Sequence, residues 1–121
     1  RRKDFPQFFD ALPIGGIDGT ISSRFKDSPL WGRVRAKTGT LVYKGSFNDQ
    51  WIYLSKALAG YIDLRTDKRP GDMLCFAILI ANTVSPDRSR AVKELFGAQE
   101  DILEAITSQW KKDKGALPKR P

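Results

Sequence analysis

Met73-Leu74-Cys75-Phe76-Ala77-Ile78-Leu79-Ile80-Ala81 is a continuous apolar run of strand length, the pattern of a strand at the centre of a sheet with both faces covered. After Asn82 the period changes. Val92, Leu95, Phe96, Gln99, Ile102, Leu103, Ile106 and Trp110 fall on one broad helical face. Ser85 or Asp87 is placed to cap that helix with Pro86 in its first turn, and Lys111, Lys112 and Lys114 stand at its negative end before Gly115. Working back from the run, Asp67, Pro70, Gly71 and Asp72 make a turn. Trp51 to Leu64 is rich in apolar and aromatic residues, and its second half, Lys56 to Leu64, reads as a strand. Tyr43 to Gln50, with Gly45, Ser46, Asn48 and Asp49, has loop composition, and Arg33 to Val42 alternates at period two around Val34, Ala36, Thr38 and Thr40. Phe5 to Phe25 carries Pro6, Pro13, Gly15, Gly16 and Gly19 and is expected to be irregular with short helical turns. Asp18 or Thr20 would cap one such turn, with Ile21 and Phe25 on the same side. The class is α+β, a three-stranded antiparallel meander with a long C-terminal helix across it. One face of that sheet lacks a cover, so a partner or more chain is expected there.

A chain of 121 residues has room for one domain. Histidine is absent, which removes Ser-His-Asp and Cys-His triads and His-ligated zinc. Proton transfer then falls to Lys, Asp, Glu or Tyr, and neither a metal nor an organic cofactor is implied. Cys75 is the single cysteine and is expected to act as a small buried hydrophobe. The net charge of +7 is confined to the ends: residues 1–3 and 111–121 hold eight of the 21 basic side chains and one of the 14 acidic ones, leaving 13 of each between them. The body is neutral, so no nucleic-acid face is expected. The basic tail, 111–121, is at most a weak contact for an anionic surface. Arg1-Arg2-Lys3-Asp4 is not a secretory signal, and no stretch of 18 apolar residues occurs.

The tripeptide that points to chemistry is Lys37-Thr38-Gly39, on the first predicted strand and followed by Thr40 and Leu41. An ammonium and a hydroxyl can hold a carboxylate, while glycine lets a substrate backbone approach the strand edge. Plain alternation points Lys37 and Thr38 to opposite faces, so both reach one ligand only at a cleft edge or a kink.

Three blocks in order place that tripeptide in a context: Leu12-Pro13-Ile14-Gly15-Gly16-Ile17-Asp18-Gly19-Thr20, then Arg33-Val34-Arg35-Ala36-Lys37-Thr38-Gly39-Thr40-Leu41, then Ala57-Leu58-Ala59-Gly60-Tyr61. With them the chain resembles the D-alanyl-D-alanine carboxypeptidases and endopeptidases of the low-molecular-mass class C penicillin-binding proteins. The resemblance implies the penicillin-binding, serine β-lactamase-like transpeptidase fold, of which residues 1–121 would be the C-terminal portion. It implies an extracytoplasmic location, with peptidoglycan D-Ala-D-Ala peptides and β-lactams as ligands of the full-length parent. It gives Lys37 the role of the cleft lysine that supports the nucleophile's proton transfers and attracts the substrate's terminal carboxylate, Thr38 a hydrogen bond to that carboxylate, Gly39 close approach, and the backbone N–H of Thr40 one of two oxyanion donors. The nucleophile of the family is the serine of an S-x-x-K motif, with an S-x-N motif nearby, both expected upstream of this chain.

Two further matches are read as coincidences of spacing. Ser23-Arg24-Phe25-Lys26 fits S-x-x-K but lies inside the first block, and Ser46-Phe47-Asn48 fits S-x-N but follows the K-T-G triplet instead of preceding it. No nucleophile is therefore assigned, and the chain alone is expected to be inactive. The stretch from Val42 to Leu54 departs from the family's short hairpin. Trp31, Trp51, Tyr43, Phe47 and Tyr53 are assigned to packing. The alternatives are a non-catalytic module for an anionic partner, which salt would weaken steeply, and a serine β-lactamase or esterase of the same wider fold.

Overall fold

The computed structural model describes residues 3–46 and 48–117. Arg1, Arg2, Phe47 and residues 118–121 of the basic tail lie outside the described residues. Helix α1, Phe5–Asp10, and a 3-10 turn, Gly19–Ile21, precede strands β1 (Val34–Lys44), β2 (Trp51–Asp63) and β3 (Met73–Ser85), and helix α2, Arg88–Lys114, closes the order. The strands form one antiparallel sheet in the order β1-β2-β3. The fold is α+β, as the patterning implied.

The strands run further than their composition indicated. Tyr43 and Lys44, assigned to a loop, pair with Ile52 and Trp51, and β3 continues past Ala81 to pair Ser85 with Trp51. A β-bulge between Leu41 and Val42 shifts the β1–β2 register, so the hairpin continues past it to a loop confined to residues 45–50. Gly45 N–H to the Gln50 carbonyl (2.8 Å) and the Lys44–Asp49 ion pair (2.7 Å) close that loop.

Alternation assigns the faces. Val34, Ala36, Leu58 and Ile62 are fully buried on the face of the sheet that carries α2 and the 3-10 turn, and join Ile21, Phe25, Leu30, Leu64 and Leu103 in the main core. Leu74, Phe76 and Ile78 pack against it from β3, and Tyr53, Ala91 and Leu95 form a second cluster. On the opposite face Cys75, Ala77, Leu79 and Ala81 are exposed. This corrects two expectations. The apolar run is an edge strand covered on one side, and Cys75 is an exposed thiol.

The uncovered face is partly roofed by α1, a helix of six residues with Pro in its first turn. Phe5, Phe8 and Phe9 surround the Tyr61 ring, with centroids 5.5, 6.4 and 5.8 Å away. Arg35 lies 4.7 Å from the Phe9 ring centroid. Asp18 precedes the 3-10 turn without capping it; its carboxylate accepts the Ile14 N–H instead.

Asp87 caps α2 by accepting the Arg90 N–H at 3.1 Å, and Pro86 precedes that cap instead of entering the first turn. The buried stripe of α2 is Ala91, Leu95, Gln99, Leu103 and Thr107, a step of four residues. Ile102 and Ile106, assigned to the covered face, stand outside it, each 43% exposed. At the far end Arg69 donates to the Lys114 carbonyl at 2.8 Å and lies over Trp110, satisfying an orphan carbonyl of the last turn.

Candidate functional site

Strand β1 is an edge strand whose outer side is filled for only part of its length. The Pro13–Gly15 segment pairs there, with Gly15 N–H to Val34 O at 2.8 Å and Ala36 N–H to Pro13 O at 3.1 Å. Backbone groups alternate sides along a strand. Thr38 and Thr40, in phase with Ala36, therefore direct their N–H groups to the same outer edge, where no strand pairs with β1 among the described residues.

The side chains straddle that edge. Lys37 pairs with Ala59 and Gly39 with Ala57 on the face away from α2. The Lys37 ammonium donates to the Thr38 carbonyl at 2.9 Å. It borders a groove of about 560 Å³ whose lining includes Phe8, Leu12, Ala59, Tyr61 and Ala77. Thr38 and Thr40 lie on the α2 face. The Thr38 hydroxyl donates to Thr20 Oγ1 at 3.3 Å, which brings the Gly19-Thr20 end of the first sequence block against the second. The Thr40 hydroxyl accepts from the Lys56 ammonium at 2.7 Å.

Lys56, Arg24 and Gln99 were missed by sequence reasoning. Arg24 is 3% exposed and donates to Glu100 Oε1 (2.8 Å), Gln99 Oε1 (3.1 Å) and the Phe96 carbonyl (3.1 Å). Gln99 Nε2 donates in turn to the Lys56 carbonyl at 3.1 Å. One signal for Lys56 was present in the sequence: it stands in phase with Leu58, Ile62 and Leu64, a lysine in a core register.

Gly39 and Gly60 have different reasons to be glycine. A Cβ on Gly39 would meet the Ala57 Cβ at 3.6 Å, an ordinary contact, whereas one on Gly60 would collide with the β1 backbone. The chain's own packing does not require glycine at 39. Gly39→Ala is expected to leave the urea midpoint unchanged or slightly raised, since glycine inside a strand weakens it. Ligand capture at the edge should fall at least tenfold, on the order of 1.4 kcal/mol. Equal ligand capture by both proteins would remove Gly39 from the site.

The two other motif matches have their own geometry. Ser23 and Lys26 are exposed on a non-helical turn in which Phe25 has φ +62°, so they do not share a helical face. Ser46 and Asn48 are exposed in the hairpin loop, where Asn48 Oδ1 accepts the Gln50 N–H at 3.3 Å. No cluster of three or more His, Cys, Asp or Glu positioned for a metal occurs among the described residues.

A strand with Lys-Thr-Gly-Thr at an open edge, braced by the Gly-Thr turn, coincides with the span of a known family: residues 1–101 match D-Ala-D-Ala carboxypeptidase 3 (S13). The chain belongs to the D-Ala-D-Ala carboxypeptidase 3 (S13) family. No curated protein and no solved structure matches it. Membership relates the chain to peptidases, hydrolases of the D-Ala-D-Ala carboxypeptidase type. The family is one of cell-wall enzymes. No helix among the described residues is long and apolar enough to cross a membrane.

Proposed function

We propose that this chain carries the substrate-binding strand of a serine-type D-alanyl-D-alanine carboxypeptidase or endopeptidase that cleaves peptidoglycan stem peptides through an acyl-enzyme. The observation that carries the reading is the open β1 edge at Thr38–Thr40, with Lys37 on one side and a glycine at 39 that the fold does not need. A peptide ending in D-Ala-D-Ala lies along this edge. Lys37 attracts its terminal carboxylate, Thr38 hydrogen-bonds it, and the Thr40 N–H faces the oxygen that becomes negative when the penultimate carbonyl is attacked. Such a donor is worth about 2.7 to 4 kcal/mol.

The reaction needs a serine that this part of the site does not contain. In the resemblance that serine belongs to an S-x-x-K motif in an upstream portion of the same domain, which makes residues 1–121 the C-terminal portion and inactive by themselves. The serine oxygen bonds to the carbonyl carbon of the penultimate D-Ala. The C–N bond to the leaving amine breaks, with the serine proton passing to the amine, and water then hydrolyses the ester. A β-lactam would acylate the same serine, and extracytoplasmic placement follows from the substrate. The lysines ending α2 add a weak, salt-sensitive attraction to anionic wall polymer.

The test is the intact mass of the protein purified from its source after labelling with a fluorescent penicillin. Label on a species several times heavier than 13.6 kDa, competed by a D-Ala-D-Ala peptide and not by its amide, is the expected result. Label on a 13.6 kDa protein would make Ser23 the nucleophile and overturn the absence of one here. An unlabelled protein would leave a non-catalytic binding module.

A further inference from the structure

Lys56 occupies a core position of β2 and is 7% exposed, although every other residue in its register there is apolar or glycine from Leu58 to Leu64. Its surroundings are defined on each side. From β1 the Thr40 hydroxyl accepts from its ammonium, and from β3 Ile80 pairs with it. From α2 the Phe96 ring centroid lies 4.6 Å from Nζ, and Gln99 binds the Lys56 carbonyl. From the turn before β1 comes Arg24, whose guanidinium lies 4.4 Å from the same Phe96 centroid and pairs with Glu100. The cluster therefore holds two cations and one carboxylate. Stability does not call for this arrangement, because an apolar chain of similar length would fill the site without a desolvated charge. What the ammonium contributes that a methionine would not is a strong, directed bond to Thr40.

We infer that Lys56 is a positioning residue for the substrate-binding strand, its ammonium fixing the Thr40 hydroxyl so that the Thr40 backbone N–H stays aimed at the open edge. The inference rests on the reading of that edge under Proposed function. Thr40 follows Gly39, the residue of β1 with the fewest steric restraints, and precedes the bulge at Leu41/Val42. Among the described residues the backbone here is held by β2 on one side alone, between a glycine and a bulge, and the Lys56 bond ties it through Gln99 and Arg24 to α2. Burial, then the Arg24 charge, holds the Lys56 pKa below its usual lysine value. As pH rises through that lowered value the charged donor is lost, so the positioning effect has an alkaline limit. Global stability moves the other way. The unfolded chain keeps its proton to higher pH than the folded one, so stability rises with pH between the lowered value and 10.5.

The test uses the full natural chain, ¹⁵N-labelled at threonine, as wild type, Lys56→Met and Lys56→Arg. Urea midpoints, penicillin acylation rates across alkaline pH and the Thr40 amide shift are measured. Lys56→Met is expected to match or exceed the wild-type midpoint while acylating about ten- to a hundredfold more slowly, as a misplaced donor would. Lys56→Arg should recover most of the rate and lose the alkaline fall due to Lys56. In the wild type the Thr40 amide should shift with a midpoint below the ordinary lysine range, a response absent in Lys56→Met. A Thr40 amide that ignores this titration, or wild-type acylation by Lys56→Met, overturns the inference; so does a destabilised Lys56→Met with no rescue of rate by arginine. If the wild type is not acylated at all, the reading of the edge fails, and the amide titration alone decides whether Lys56 positions Thr40.

Discussion

Gly60→Ala is expected to destabilise the protein by about 3 kcal/mol or more, at the upper end of what overpacking costs. A Cβ at that position would sit 2.1 Å from the Arg35 carbonyl oxygen, 2.6 Å from the Ala36 Cα and 2.8 Å from the Ala36 Cβ. Two of these are backbone atoms of the neighbouring strand, which no rotamer change can move aside. The sheet would have to open at the Ala36↔Gly60 pair, one residue from Lys37 and two pairs in from the Val34↔Ile62 end of the β1–β2 ladder. Leu58 and Ile62, both fully buried on either side of Gly60, would lose packing as β1 moves. Urea unfolding followed by tryptophan fluorescence reads the effect directly. A midpoint within error of wild type would mean that β1 and β2 are not in the contact described.

Gly60 also shows which parts of the fold could be read from residues. The Ala57-to-Tyr61 block was legible as part of a strand and as a family signature, and the structure supplies the reason for its glycine. Element order, the Asp87 cap and the lysines ending α2 were legible because they depend on local chemistry. The misread features depend on what lies opposite. Tyr43 and Lys44 follow no glycine or proline that would stop a strand, yet the polar residues after them drew the boundary too early; cross-strand pairing with Trp51 and Ile52 decides it. The run from Met73 to Ala81 is apolar on both faces, but period two cannot say whether the second face is covered. Ile102 and Ile106 belong to the helical stripe by composition, and the line of contact with β3 passes to one side of them. Of the residues of the proposed site, Lys37, Thr38, Gly39 and Thr40 were singled out by motif, and their split between the two faces was anticipated from alternation. Lys56 was not found, because a lysine inside a strand is ordinarily a solvated one.

Lys37→Ala should lower the second-order rate constants of acylation and of D-Ala release (kcat/KM) by about a thousandfold while leaving the fold intact. An ammonium about 4 Å from a carboxylate at an effective dielectric constant near 20 is worth about 4 kcal/mol, which is about a factor of a thousand. The effective dielectric at Lys37 is set by its apolar neighbours: the groove beside it is walled by Phe8, Leu12 and Tyr61 and floored by Ala59 and Ala77. Structural cost is small because Lys37 is exposed and its described bond goes to the adjacent Thr38 carbonyl, so the urea midpoint should move by less than about 0.5 kcal/mol. Lys37→Arg separates charge from shape. A guanidinium keeps the attraction but spreads it over a planar fork longer than an ammonium, so it should retain carboxylate binding, read as KM, and still lose most of kcat. Should arginine restore full kcat, Lys37 would serve the substrate's charge alone and the proton-transfer role would be excluded. If alanine changes neither rate, the open β1 edge is not where the substrate lies.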